Sequence, residues 1–252
     1  MCRMIATAGA VDPKTLLAAA RRMAANDNPR YTHEFREQGP HFRHLDGWGA
    51  VWVDGKRLRT VRRTQSILED GEADRTVKGL VTPWLVIHAR RSSRGQPRMR
   101  NTHPFTAGFL GREWAFCHNG SVDDHWVFHR VPGLVPQGGT DSEQLFHHLL
   151  ALIGERRAAE GTVALEPAVL EGLKLLRTFT AAHCLLASTD GVLAGAARHP
   201  QRGQPGYHAL WQGRAPNLHV VSSEPLDEPA CEWERIPEPG VVTLRANGAS
   251  GS

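Results

Sequence analysis

The stretch Thr140-Asp141-Ser142-Glu143-Gln144-Leu145-Phe146-His147-His148-Leu149-Leu150-Ala151-Leu152-Ile153 decides the fold class. Its first four residues read as a capping box, where a Thr cap and a Glu three positions on satisfy free amides of a helix start. Leu145, Phe146, Leu149, Leu150 and Ile153 then recur at helical spacing and predict one apolar face. A second helix is expected soon after, from Pro167 to Arg177. Strand-like runs flank this helical pair on both sides. Upstream, Trp48 to Val53, Asp54-Gly55 and Lys56 to Val61 predict a hairpin, and Trp84 to His88 and Trp114 to His118 predict short buried strands. Downstream, His183 to Ser188 and Val192 to Ala197 flank Thr189-Asp190-Gly191, followed by short strands near Tyr207 to Trp211, His219 to Ser222 and Val241 to Leu244. Strands, two adjacent helices, then strands again predict helices packed on sheets in an α+β layered fold.

Nearer the start, Asp12 is placed to cap a helix with Pro13 at its first position, carrying Leu16, Leu17, Ala20, Met23 and Ala24. Asn26 to Pro40 is polar and reads as a loop. No Pro/Gly-rich linker divides the chain, so one domain over residues 2–246 with a flexible tail at 247–252 is expected.

Hydrophobic residues make up 40% of the chain and charged residues 22%, which fits a soluble globular protein and excludes disorder and coiled coil. The net charge of +4 comes from scattered arginines, so no nucleic-acid partner is expected. No run approaches the ~20 apolar residues of a membrane span. Leu16 to Ala25 is interrupted by Arg21 and Arg22, so neither a membrane segment nor a signal peptide is expected. Four cysteines without a CxxC pair suggest free thiols in a reducing, cytoplasmic setting. Cys117, Cys184 and Cys231 are expected to be buried and inert. Fourteen histidines invite a metal, yet His41/His44, His125/His129 and His147-His148 lie in no recognised ligand spacing, so neither metal nor cofactor is expected. Arg59, Arg62 and Arg63 read as a solvated strand face.

Five blocks carry chemistry. Cys2 follows the initiator Met, and its small side chain permits removal of Met1. A thiol and a free α-amine titrating near ~8 would then sit on one residue as nucleophile and base. In His88-Ala89-Arg90-Arg91-Ser92-Ser93-Arg94-Gly95, an arginine at a strand end suits a bidentate carboxylate clamp. Asn101-Thr102-His103-Pro104-Phe105 reads as a polar turn. Phe116-Cys117-His118-Asn119-Gly120 reads as a strand running into an Asn-Gly turn, whose side-chain amide and backbone N–H suit an oxyanion hole. In Gly138-Gly139-Thr140-Asp141-Ser142-Glu143, Asp141 suits a helix start or a substrate ammonium. Thiol, amine, carboxylate clamp, oxyanion donors and ammonium acceptor together fit a glutamyl group.

Met1-Cys2-Arg3, His44-Leu45-Asp46-Gly47-Trp48-Gly49, the blocks at 88–95, 101–105, 118–120 and 140–143, and Ser222-Ser223-Glu224-Pro225-Leu226 occur in that order. With them the chain, from residue 2 to about 244, resembles the class II glutamine amidotransferases. More narrowly it resembles the stand-alone branch containing the ergothioneine-pathway γ-glutamyl amidase. The resemblance implies the N-terminal-nucleophile hydrolase fold, a four-layer αββα sandwich of two antiparallel sheets between helical layers. It implies hydrolysis of glutamine or a γ-glutamyl amide through a γ-glutamyl thioester. Cys2 matches the nucleophile, Arg90 the α-carboxylate clamp, Asn119 and Gly120 the oxyanion hole, and Asp141 the ammonium acceptor. Ser93 stands where the family often has Thr, and its hydroxyl still suits a substrate bond. Arg91 and Arg94 stand where other branches place Trp and His, which leaves the amine side of the scissile bond open. Asp46-Gly47-Trp48-Gly49 is expected to pack near the N-terminus. The alternative to a self-sufficient hydrolase is a glutaminase subunit feeding ammonia to a separate synthase.

Overall fold

Alternation along the strands determines the layering. In the computed structural model, which describes residues 2–10, 12–92, 98–123, 128–161 and 165–245, strand β1 (Arg3–Gly9) turns Met4, Ala6 and Ala8 to one side and Ile5 to the other. β2 (Trp48–Asp54) and β4 (Trp84–Ala89) split the same way: Val51, Val53, Trp84 and Val86 join the first group, and Trp48, Ala50, Leu85 and Ile87 the second. Both faces are apolar because both are covered, as period-two side-chain direction requires of an inner sheet.

The first sheet has seven antiparallel strands in the order β11-β9-β10-β1-β4-β2-β3, adding β3 (Arg57–Arg63), β9 (Trp211–Ala215), β10 (Leu218–Ser222) and β11 (Glu232–Arg235). The second has five antiparallel strands in the order β12-β8-β7-β6-β5, formed by β5 (Phe105–Phe109), β6 (Arg112–Val122), β7 (Phe179–Ser188), β8 (Gly191–Ala196) and β12 (Gly240–Leu244). Between the sheets, small side chains such as Ala6, Ala8, Ala115, Cys117, Ala187 and Ala194 alternate with larger ones such as Met4, Trp84, Leu185 and Leu210. α1 (Pro13–Ala24) and α2 (Gly71–Val77) cover the outer face of the first sheet. α3 (Asp141–Glu160) and α4 (Leu165–Leu175) cover the second, burying Leu145, Phe146, Leu149, Leu150 and Ile153 against Phe116 and Leu186. The order is helix, sheet, sheet, helix, as expected.

Local signals hold where they were strongest. Asp12 accepts from Lys14 N at 3.1 Å with Pro13 in the first turn, and Thr140 accepts from Glu143 N at 3.3 Å. The capping box is only half made. The Glu143 carboxylate takes the amides of Gln137 and Gly138, 2.9 and 2.7 Å away, because the preceding loop folds back over the helix start.

Four expectations are corrected. Tyr207 to Leu210 is buried but irregular, since its side chains pack under the 33–42 segment, and the strand begins only at Trp211. Asn119-Gly120 is not a turn: β6 runs on to Val122 with a bulge after Gly120, because β7 continues alongside it. Cys231 is only partly buried, just ahead of an edge strand, and Arg62 is half-buried, while Arg59 and Arg63 are exposed. The polar segment after Asn26 is largely loop, with short 3-10 turns from Arg36. The tail 247–252 lies outside the described residues.

Candidate active site

Cys2 stands at the open end of the sandwich, one residue before β1, and is 8% exposed. Its backbone N donates to Asn119 Oδ1 at 2.9 Å, and its Sγ lies 3.8 Å from the Arg91 carbonyl. β1 is therefore tied to β4's exit on one side and to the second sheet on the other. A cavity of ≈ 140 Å³ opens here, lined among others by Cys2, Arg90, Gly120, Asp141, Ser142 and His103. A larger hollow of ≈ 330 Å³ lies beside Trp114 and Glu166, but no cysteine lines it.

Arg90 follows β4 directly and is buried. Its Nη2 donates to Ser92 Oγ at 3.0 Å and its Nη1 to the Asp46 carbonyl at 3.4 Å. Asp46 also binds Ser92 N through Oδ2 at 2.6 Å, and backbone bonds run from Asp46 N to Arg90 O and from Arg90 N to Gly47 O. The Asp46-Gly47 corner thus holds the Arg90 segment in place. Gly47 (φ +116°) has no room for a side chain, since a Cβ would sit 2.6 Å from Arg63 O. This corner does pack near the N-terminus, and it also supports a site residue.

Asn119 is fully buried, and its Nδ2 donates to no group among the described residues. Gly120 adopts φ +136°, and a Cβ there would lie 1.9 Å from Ala181 O, so only glycine fits. Asp141 opens α3 and receives Val122 N on Oδ2 at 2.8 Å, which joins the helix start to the bulge of β6. Ser142 and His118 meet at 2.9 Å. Because His118 Nε2 faces the Ala181 carbonyl at 3.3 Å, its proton sits there, and Nδ1 accepts from the Ser142 hydroxyl.

Two buried histidines, His103 and His118, line the cavity, and His88 packs against His103 with ring centres 4.1 Å apart. Burial pushes His88 down to about 3, and His103 well below the usual imidazole range. Burial also lowers His118, against the opposing pull of Asp141. Burial thus makes His88 and His103 poor bases, while both ring nitrogens of His118 are already engaged by Ser142 and the Ala181 carbonyl. Cys117 beside His118 is no partner either: burial pushes its thiol up, and successive strand residues face opposite sides.

The cavity thus gathers Cys2, Arg90, Gly120 and Asp141, with Asn119 bonded to Cys2. Ser93 and Arg94 lie outside the described residues. Sequence reading missed Asp46 as a support for Arg90, together with Ser92, Ser142 and His103. Asp46 stood in the Asp-Gly-Trp-Gly block, and Ser92, His103 and Ser142 stood in blocks already singled out, but none had a role attached.

A family model described as class-II glutamine amidotransferases matches residues 16–200. The chain belongs to the class-II glutamine amidotransferases. Cys2 lies ahead of the matched residues, so its place in this amidotransferase site rests on the geometry above. "Putative glutamine amidotransferase YafJ" of Escherichia coli is 34% identical over 117 residues, 45% of this chain and 44% of that protein. This chain therefore aligns with less than half of that relative. Among solved structures, the glutamine phosphoribosylpyrophosphate amidotransferase of Bacillus subtilis superposes with a TM-score of 0.66 at 17% identity, over 97% of this chain and 49% of that one. A class-II domain protein from Silicibacter pomeroyi gives 0.55 at 16% identity over 97% and 99%. At such identities the likeness is one of fold, and it places this amidotransferase among N-terminal-nucleophile hydrolase folds. No helix among the described residues is long and apolar enough to cross a membrane.

Proposed function

We propose that residues 2–246 form one amidohydrolase unit that cleaves glutamine or a γ-glutamyl amide with Cys2 as nucleophile. The observation that carries this reading is the single side chain of Asn119. Its Oδ1 holds the nitrogen of Cys2 at 2.9 Å while its Nδ2 has no protein acceptor among the described residues. One amide thus orients the nucleophile's own nitrogen and keeps a donor for the oxyanion.

The steps follow from that geometry. Met1 is removed, and the neutral α-amine of Cys2 takes the thiol proton as Sγ attacks the amide carbon. Asn119 Nδ2 and the Gly120 N–H hold the tetrahedral oxyanion. Arg90 holds the substrate α-carboxylate in bidentate fashion, and Asp141 and the Ser142 oxygen receive its ammonium. Collapse expels the amine with the proton and leaves a γ-glutamyl thioester, and water attacks this and releases glutamate. The nearby histidines support the α-amine as base, since burial makes His88 and His103 poor bases and His118 is bonded through both ring nitrogens. Ser93, which stands where the family often has Thr, is assigned a substrate hydrogen bond on that resemblance alone.

A second reading has its own support. The Bacillus subtilis amidotransferase is about twice as long as the part this chain matches. A separate synthase that takes up the ammonia fits that arrangement.

The test is glutamate release from glutamine and from γ-glutamyl amides, with product amines identified. Cys2→Ala should lose all turnover while keeping the fold. A fully active Cys2→Ala protein, or an active protein still carrying Met1, sinks the proposal. A synthase that co-purifies and consumes the ammonia favours the second reading.

A further inference from the structure

Two motifs singled out in the sequence take no part in the chemistry above: Arg3, next to Cys2, and Ser222-Ser223-Glu224-Pro225-Leu226. The fold brings them together. Arg3 and Glu224 are 1% and 0% exposed, and Arg3 Nη2 lies 2.9 Å from Glu224 Oε1. Arg3 Nη1 also donates to the Tyr207 carbonyl at 3.1 Å, and its guanidinium lies 3.9 Å from the centre of the Tyr207 ring. Glu224 Oε2 accepts from Asn28 Nδ2 at 2.8 Å and faces Arg36 Nη2 at 3.4 Å. His33 Nδ1 lies 3.2 Å from Phe35 N, and its Nε2 lies 3.0 Å from Arg3 Nη2 and 3.4 Å from Glu224 Oε1, so the imidazole packs against both members of the pair. Burial alone would raise the Glu224 carboxyl, but Arg3, His33 and Asn28 hold it below the usual carboxylate range.

This cluster sits where the ordinary sheet ladder runs out. The β1–β10 pairing ends at Ile5 and Ser222, and Ser223 extends it by one step, bonding Met4 N through Oγ and Met4 O through its own N, both at 3.0 Å. Arg3 and Glu224 make the next tie. Beyond it the backbone of Cys2 has its bond to Asn119. Arg3 points to the opposite side of the strand from Cys2, so fixing its guanidinium resists rotation of the strand end and sets the direction of the thiol. A buried ion pair is a poor source of stability, since apolar residues of similar size commonly serve as well or better. Its value here is geometric.

We propose that Glu224, acting through Arg3, is a positioning residue that aims the Cys2 thiol; this rests on Cys2 being the nucleophile. The experiment compares Glu224→Gln, Glu224→Asp and the apolar double variant Arg3→Met with Glu224→Leu, with glutamine as probe. Each is scored for folded fraction, kcat and KM. The expected result is a kcat lower by about 100-fold in the Gln and double variants, as a misplacement near 1 Å produces. KM should be nearly unchanged, and the Asp variant should recover part of the rate. Wild-type kcat in a folded Gln or double variant overturns the proposal. So does a loss of rate that only follows the unfolded fraction. If Cys2→Ala is fully active the underlying reading fails; if turnover needs Cys2 but ignores Glu224, only the positioning role fails.

Discussion

The seven-stranded sheet and the five-stranded sheet supply opposite halves of one cavity, and they hold their halves differently. The larger sheet brings Cys2 and Arg90 on adjacent strands and fixes them through side chains: Asp46 and Ser92 around Arg90, and Glu224 against Arg3. The smaller sheet brings Asn119, Gly120 and, through α3, Asp141, and it relies on backbone shape: a left-handed glycine, a bulge, and an amide bonded to the helix-start carboxylate. Neither sheet carries a complete site. The cavity exists only while the two layers keep their register, and the side chains packed between them set their spacing.

The sharpest way to break the smaller sheet's half is Gly120→Ala. The new methyl would meet the Ala181 carbonyl at 1.9 Å in a backbone region closed to alanine. A loss of about 4 kcal/mol or more is expected in chemical denaturation, and unchanged stability would mean that the β6–β7 seam has slack.

The ties between sheets come next. Glu238, just after β11, binds Arg198 at 3.1 Å and Arg235 at 2.9 Å and faces His183 of β7 at 3.4 Å. Burial would raise its carboxyl, but His183 and Arg235 hold it down to about 2. A depressed carboxyl stabilises the fold above its ordinary value of 4.5, and that contribution is lost as the pH falls towards 2. Glu238→Gln should cost on the order of 2–3 kcal/mol at neutral pH and flatten this acid limb, read by thermal melts across pH. Parallel pH curves for both proteins would remove Glu238 as a tie.

Ala6→Leu tests the spacing itself. Overpacking costs about 1–3 kcal/mol, and the sheets must separate to admit the side chain. Turnover should therefore fall further than stability, since both halves move apart. Equal losses would show that the site tolerates the shift. The smallest effect is expected at the surface tie, where Glu113 on β6 reaches Arg57 Nε and Leu58 N of β3, each at 2.7 Å. Glu113→Gln should change stability by less than about 1 kcal/mol, most visibly at low salt.

Much of this comparison was legible in the sequence, but not the seam. α1, α3 and the β2–β3 hairpin carry caps, turns and periodic faces within a few residues, and these survive in the fold. α2 and β5 were missed because each is short, and Phe105-Thr106-Ala107-Gly108-Phe109 shows only weak alternation. Tyr207 to Leu210 read as a strand because burial alone produces an apolar run. The chemical residues Cys2, Arg90, Asn119 and Asp141 were legible as types with roles. Their supports were not: Asp46 meets Ser92 across 46 residues, and His118 meets Ser142 across 24. Such pairs leave no local pattern, because only the folded chain brings them together.

The position of β1 also bears on the order of events during synthesis. This strand lies inside the sheet, with β4 on one side and β10 on the other. Its second neighbour ends at Ser222, so β1 completes its pairing only after the chain has been made that far. At ordinary translation rates that interval is roughly 10–40 seconds. On the proposed reading, this is the time in which a ribosome-associated peptidase can reach Met1, before the strand is enclosed and Cys2 is only 8% exposed. On that reading, the central placement of β1 sets the interval open to trimming before the strand is enclosed.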